Sequence, residues 1–135
     1  MRSLRLRLSV FVLVIIFALI YGCSTFEEPQ YTNGYYIVTI NQSFNEVHNK
    51  SLKLIKSGEV QDSSGHFYTV KLNKVDGNRA IVVGESNFDP SDFIEVALYN
   101  KSKDETKISV RYGEDGDSIK SSAFISLVQK KTSKS

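Results

Sequence analysis

An apolar run over residues 10–20 ends three positions before the only cysteine of the chain, Cys23. Three arginines, Arg2, Arg5 and Arg7, precede it. A basic start, an apolar core of this length and a small residue, Gly22, before a cut are the parts of a secretory signal. A membrane-spanning helix needs roughly 20 apolar residues, so this run is too short for one. The expected mature chain therefore starts at Cys23 and has about 113 residues. That suits one domain with a modest core. No second cysteine exists for an internal disulfide, so stability must come from packing.

The stretch Ile20-Tyr21-Gly22-Cys23 resembles the lipobox of bacterial lipoproteins. The resemblance implies a diacylglyceryl group on the Cys23 thiol, cleavage after Gly22 and an acylated new N-terminus. Several acyl chains hold a protein on a bilayer where a single chain holds it only marginally. Ser24 is not the aspartate that retains many such proteins in the inner membrane. The implied location is the cell envelope, in the periplasmic leaflet of the outer membrane.

The signal removes three of 17 cations and no carboxylate, which leaves 14 Lys and Arg against 15 Asp and Glu, or about −1. The apparent basicity belongs to the signal and offers no footprint for nucleic acid.

Residues 23–33 read as the lipidated cysteine and a polar linker, and residues 34–130 as a single domain. Residues 34–41 (GYYIVTIN) are dense in β-branched and aromatic side chains and read as a strand. Ser43-Phe44-Asn45-Glu46 has the capping-box pattern, and Phe44, Val47, Ser51, Leu54 and Ile55 then recur at helical spacing up to the stop at Gly58. His48 flanks that stripe and reads as an edge residue. Residues 67–75 and 79–85 form strands around Asp76-Gly77, a hairpin signal, with Leu72 grouped on the side of Tyr68 and Val70. Residues 93–99 and 106–112 form another hairpin across a charged loop, residues 100–105. Asp117 is placed to cap a last helix to about Lys130, whose Ile119, Ala123, Phe124, Leu127 and Val128 cover a broad arc expected to be buried. Residues 131–135 make a basic tail that complements its own helix dipole, a reading preferred over lipid-headgroup binding.

The order β-α-β-β-β-β-α predicts an α+β two-layer sandwich: a mostly antiparallel sheet of about five strands with both helices on one face. Tyr35, Phe67, Thr69, Lys71, Glu95, Tyr99 and Arg111 then fall on the other. Of these, Tyr35, Phe67, Tyr99 and Arg111 are the candidate interaction face, aromatics among charges being common at interfaces. Ordinary cross-strand pairing places the same residues on a solvated face.

The segment Arg111-Tyr112-Gly113-x-x-Gly116-Asp117-x-x-x-Ser121 resembles the closing signature of a family of small bacterial lipoproteins whose domain has no assigned function. The resemblance implies fold and location but no reaction. From the residues themselves, Gly113 and Gly116 permit a tight turn, Asp117 caps, and Arg111 has Asp115 and Asp117 as nearby partners. A cation held by Glu114, Asp115 and Asp117 matches no calcium-loop spacing.

Chemistry is sparse. The two histidines, His48 and His66, form no zinc pair, no G-x-S-x-G elbow is present, and no glycine loop ends in Lys-Ser/Thr. The expectation is a protein without catalytic residues, metal or cofactor, bound to the membrane through Cys23. Its domain would dock to an envelope protein, as part of an envelope or secretion assembly. The alternative is a carrier of lipid or peptidoglycan fragments, which requires an apolar cavity between helices and sheet.

Overall fold

The computed structural model describes residues 28–130. The signal segment, Cys23, the start of the linker and the tail over residues 131–135 lie outside the described residues.

The domain starts earlier than expected. Asn33 and Gly34 both take positive φ (54° and 83°), the conformation of a two-residue hairpin turn. The chain before them therefore folds back, and β1 (Gln30–Thr32) pairs antiparallel with β2 (Tyr35–Ile40). The linker ends at Pro29, which has no N–H to extend the ladder. After β2 come α1 (Phe44–Lys56), β3 (Thr69–Asp76), β4 (Arg79–Glu85), β5 (Phe93–Ser102), β6 (Glu105–Tyr112) and α2 (Ser118–Gln129). The six strands lie in one antiparallel sheet in the order β1-β2-β6-β5-β4-β3. Strands β3 to β6 form a meander, and β2 docks on its last strand.

Both helices lie on one face, α1 over β3, β4 and β5 and α2 over β2 and β6, in contact with each other. Strand alternation supplies the core. Ile40, Ala80, Val82, Ile94, Val96, Leu98, Ile108 and Val110 point toward the helices and are at most 5% exposed. The α1 stripe closes on them, with Phe44, Val47, Ser51, Leu54 and Ile55 all buried as their spacing predicts. α2 contributes Phe124, Ile125 and Val128. No helix among the described residues is long and apolar enough to cross a membrane.

Three details depart from the sequence reading. A β-bulge between Val70 and Leu72 shifts the register, so Leu72 pairs with Val83 on the helix-free face instead of following Val70 into the core. The charged loop over residues 100–105 is mostly strand: β5 and β6 continue to a Ser102–Glu105 pair and leave only Lys103 and Asp104 to turn. In α2 the apolar arc is split, with Ile119 82% exposed and Ala123 also on the outside.

Candidate functional site

The helix-free face is a grid fixed by register. One row runs Arg111, Glu95, Val83 and Leu72 across β6, β5, β4 and β3; a second, separated from it by the Ser109–Ala97–Ile81–Lys74 row, runs Thr39, Lys107, Tyr99, Arg79 and Asp76 from β2 to β3. Tyr35 and Arg111, distant in sequence, meet here. The Arg111 guanidinium lies 4.6 Å from the centre of the Tyr35 ring and 5.4 Å from that of Phe93. It also stands 3.8 Å from the Glu95 carboxylate. The Tyr35 hydroxyl donates to the same carboxylate. Burial and that hydrogen bond raise the Tyr35 pKa, so the phenol keeps its proton. Arg111 pairs with Glu95 and donates to the Glu114 carbonyl (3.4 Å), not to the carboxylates of Asp115 or Asp117. The strand carries the guanidinium over the sheet face rather than back along the turn.

Tyr99 shares the face, 43% exposed, with the Arg79 guanidinium 5.9 Å from its ring centre. Phe67 does not. It precedes β3, and its ring fills the space over Gly58, where a Cβ would fall 2.1 Å from it. The face thus brings Tyr35 and Arg111 together and carries Tyr99 two rows away, while Phe67 belongs to the exit of α1.

The Gly113–Asp117 turn is built by close backbone approach. Gly113 and Gly116 take positive φ (68° and 77°). A Cβ on Gly116 would sit 2.2 Å from the Gly34 carbonyl oxygen, so this turn and the β1–β2 turn touch main chain to main chain. The Tyr31 hydroxyl, 3.4 Å from the Asp115 carbonyl, adds a second link. Asp117 then caps α2 by accepting from the Lys120 amide at 3.0 Å. That carboxylate is engaged in ending the turn.

A second polar cluster joins the loop after α1 to the loop between β4 and β5. The Asp62 carboxylate, its side chain fully buried, accepts from the His66 amide (2.8 Å), the Ser64 amide (2.9 Å) and the Ser86 hydroxyl (2.7 Å). These donors, the His66 amide first, hold its pKa below the ordinary carboxylate range. Asp92 accepts from the Ser63 amide (2.7 Å) and the Tyr68 hydroxyl (2.8 Å). Burial first, and then this bond to Asp92, push the Tyr68 pKa far up. A serine, a histidine and aspartates therefore meet, but in an order that serves structure. A hydrolytic triad sets the imidazole between hydroxyl and carboxylate. Here the carboxylate lies between them: the Ser86 hydroxyl donates a hydrogen bond to Asp62, and the His66 ring nitrogen sits 3.9 Å from the same oxygen that takes the backbone amides. The arrangement ties two loops together.

Outside the core, a groove of about 710 Å³ lies between the outer half of β2, α2 and Glu28-Pro29. β1 covers only Tyr35–Ile37 of β2, which leaves Val38 and Ile40 along its wall. Its lining mixes those side chains with Ser122, Ser126 and Gln129 of α2.

Sequence reading missed Glu95 and Phe93 as partners of Arg111, because cross-strand neighbours require the register. The loops over residues 59–65 and 87–92 are likewise joined only in the folded chain. The Asp-Ser-Ser-Gly and Asp-Pro-Ser-Asp strings signal Asx turns, but not that each loop supplies the other's donors.

Comparison with known proteins adds a family and no activity. No curated protein matches the chain. A family profile matches residues 8–131, nearly its whole length, and takes in the apolar run and Cys23 as well as the domain. The chain is accordingly a member of the family described as protein of unknown function (DUF3568).

Proposed function

We propose that this is a bacterial lipoprotein, anchored through lipidated Cys23 in the periplasmic leaflet of the outer membrane, whose domain is a non-enzymatic module that docks an envelope protein through its helix-free sheet face. The observation that carries the reading is the Tyr35–Arg111–Glu95–Phe93 cluster, with Tyr99 two rows away, on a sheet face that no helix among the described residues covers. Tyrosine and arginine are enriched among residues that dominate binding energy. A guanidinium already stacked and ion-paired has less freedom to lose when a partner closes over it. The anchor is supported by the lone cysteine at the end of an apolar run, seven residues before β1. The Arg111-to-Ser121 signature is read as the family's way of locking the β1–β2 turn to α2, consistent with the Gly34–Gly116 contact.

The test has two arms. Labelled palmitate is expected to enter the wild-type chain and not Cys23→Ala, which should leave the membrane fraction. Equal labelling and fractionation of the two overturns the anchor. In the second arm, cross-linking in cells is expected to capture a partner that is lost with Tyr99→Glu and with Arg111→Ala. Capture unchanged by both substitutions removes the sheet face as the docking surface.

A further inference from the structure

Positive charge is concentrated in the helix layer. α1, α2 and their cap residues carry Lys50, Lys53, Lys56, Lys120 and Lys130 against two carboxylates, Glu46 and Asp117. Lys131 and Lys134 follow in the sequence. The rest of the chain from Cys23 onward is the reverse, with seven Lys and Arg against thirteen Asp and Glu. A molecule of nearly zero net charge is thus strongly polar, with its helices as the cationic side.

An apolar stripe crosses that side. Ile119, Ala123 and Leu127 recur every four residues along α2, away from its buried Ser121, Phe124, Ile125 and Val128. Ile119 is 82% exposed, Ala123 is exposed and Leu127 half-buried. Lys130 continues the line.

The chain leaves the domain beside the same helix. Glu28 and Pro29 line the groove with Ser122, Ser126 and Gln129 of α2. The Gln42 amide donates to the Gln129 carbonyl (3.2 Å) and Lys50 donates to that of Lys130, so the end of α2 is fastened to α1 there. Glu28 is five steps along the chain from Cys23, and at 3.3–3.6 Å per residue these span at most about 18 Å. A bilayer holding Cys23 is therefore within reach of α2, and both the tether and the lysine-rich tail start from this edge.

We infer that the helix layer is the membrane-facing side of the protein, with the Ile119–Ala123–Leu127 stripe in the headgroup region of an anionic bilayer and the helix-layer lysines against its phosphates. The inference rests on the Cys23 anchor proposed above. An apolar helix stripe flanked by lysines is the pattern of interfacial helices. An anionic surface attracts lysines that lie within a Debye length, about 10 Å at 0.1 M salt. The helix-free sheet face then points away from the membrane, toward the periplasm.

Because lipid blocks the Cys23 thiol, Ala123→Cys gives the full-length lipoprotein one thiol for an environment-sensitive fluorophore. The protein is reconstituted in phosphatidylethanolamine–phosphatidylglycerol vesicles, with brominated acyl chains as the lipid-side quencher and acrylamide as the aqueous one. The label at 123 is expected to be quenched by brominated lipid about threefold more than one at Tyr99→Cys on the sheet face, and to be shielded from acrylamide. Adding Lys53→Glu, Lys56→Glu and Lys130→Glu should remove most of that difference. Flotation with a label at 123 as open to acrylamide as that at 99 overturns the orientation and leaves the anchor standing. A chain that does not float overturns both. A label shielded from acrylamide yet untouched by brominated lipid places protein, such as a second copy, on the stripe and overturns the inference.

Discussion

The two helices are nearly equal in length, lie side by side on one sheet face, and use apolar residues in opposite ways. α1 has one apolar stripe, and every residue of it, Phe44 to Ile55, is buried. α2 is apolar on two sides: Phe124, Ile125 and Val128 enter the core while Ile119 and Ala123 face out. In α1 the polar residues mark the solvated side, so periodicity alone fixes which way the helix faces. In α2 small serines alternate with apolar residues, and no periodicity separates inside from outside. Apolar residues in excess of what the core takes are the informative ones.

The sharpest way to break this comparison is to empty the core from each helix in turn. Phe124→Ala is expected to cost about 3–5 kcal/mol and Ile55→Ala about 2–5 kcal/mol in urea unfolding, since both side chains are at most 1% exposed. A loss under about 1.5 kcal/mol for Phe124→Ala would make α2 a peripheral attachment and remove the likeness between the two helices' core faces.

The helices are also held at their ends by different physics. α1 exits through Gly58 (φ 78°) into the loop fastened by Asp62 and Asp92, whereas α2 starts from the uncharged backbone contact of Gly116 with Gly34. The first carries the carboxylates with depressed pKa values. Asp62 and Asp89 both have depressed pKa values, Asp62 through the His66 amide first and Asp89 through the Ser91 hydroxyl first. A group whose pKa is lower folded than unfolded stabilises fully above the unfolded value, near 4, and loses that contribution as pH falls through the folded one. Hydrogen exchange below about pH 4 should therefore show residues 57–68 opening before the turn at residues 113–116. Asp62→Asn should flatten that acid limb. Tyr68→Phe, which removes a donor to the Asp92 carboxylate, is expected to cost about 1.5–3 kcal/mol at neutral pH. Simultaneous opening of both segments in acid would remove the distinction.

What was legible follows the range of each interaction. The α1 stripe, both caps, the Asp76-Gly77 hairpin and the two-layer class depend on residues a few positions apart, and the structure holds all of them. β1 was lost because Asn33-Gly34, itself a hairpin signal, lay at the end of a stretch read as linker. Leu72 was misplaced because a bulge inverts every later side chain, and nothing local marks it. The Arg111 cluster depends on β6 lying between β2 and β5, which only the assembled sheet provides.

The caps offer a finer comparison. Ser43 accepts from the Glu46 amide at 3.3 Å and Asp117 from the Lys120 amide at 3.0 Å. Ala at either position is expected to cost about 1 kcal/mol. Asp117→Ala should cost somewhat more, because the charged cap also meets the positive end of the α2 dipole, a contribution of about 0.3–1 kcal/mol that salt screens. Each helix also buries a serine, Ser51 and Ser121, whose hydroxyl has no hydrogen-bond partner. Ser51→Ala and Ser121→Ala are expected to gain about 0.5–1 kcal/mol each, by removing a buried hydroxyl that costs free energy and by substituting the better helix former.

The smallest expected effect bears most directly on why α2 differs. Ile119 sits in the apolar arc yet is 82% exposed, so Ile119→Ser removes almost no area that folding hides from water. Stability should change by no more than about 0.5 kcal/mol in urea unfolding at low protein concentration. The same substitution in the α1 stripe, Val47→Ser, falls on a side chain with no exposed surface and should cost several times as much. A loss above about 1 kcal/mol for Ile119→Ser would mean that something covers the stripe in solution. Dependence of that loss on protein concentration would identify the cover as another copy of the chain, because association that stabilises the folded state strengthens by mass action. Independence of concentration would instead place residues of the same chain over Ile119, and the outward face of α2 would then be a buried one.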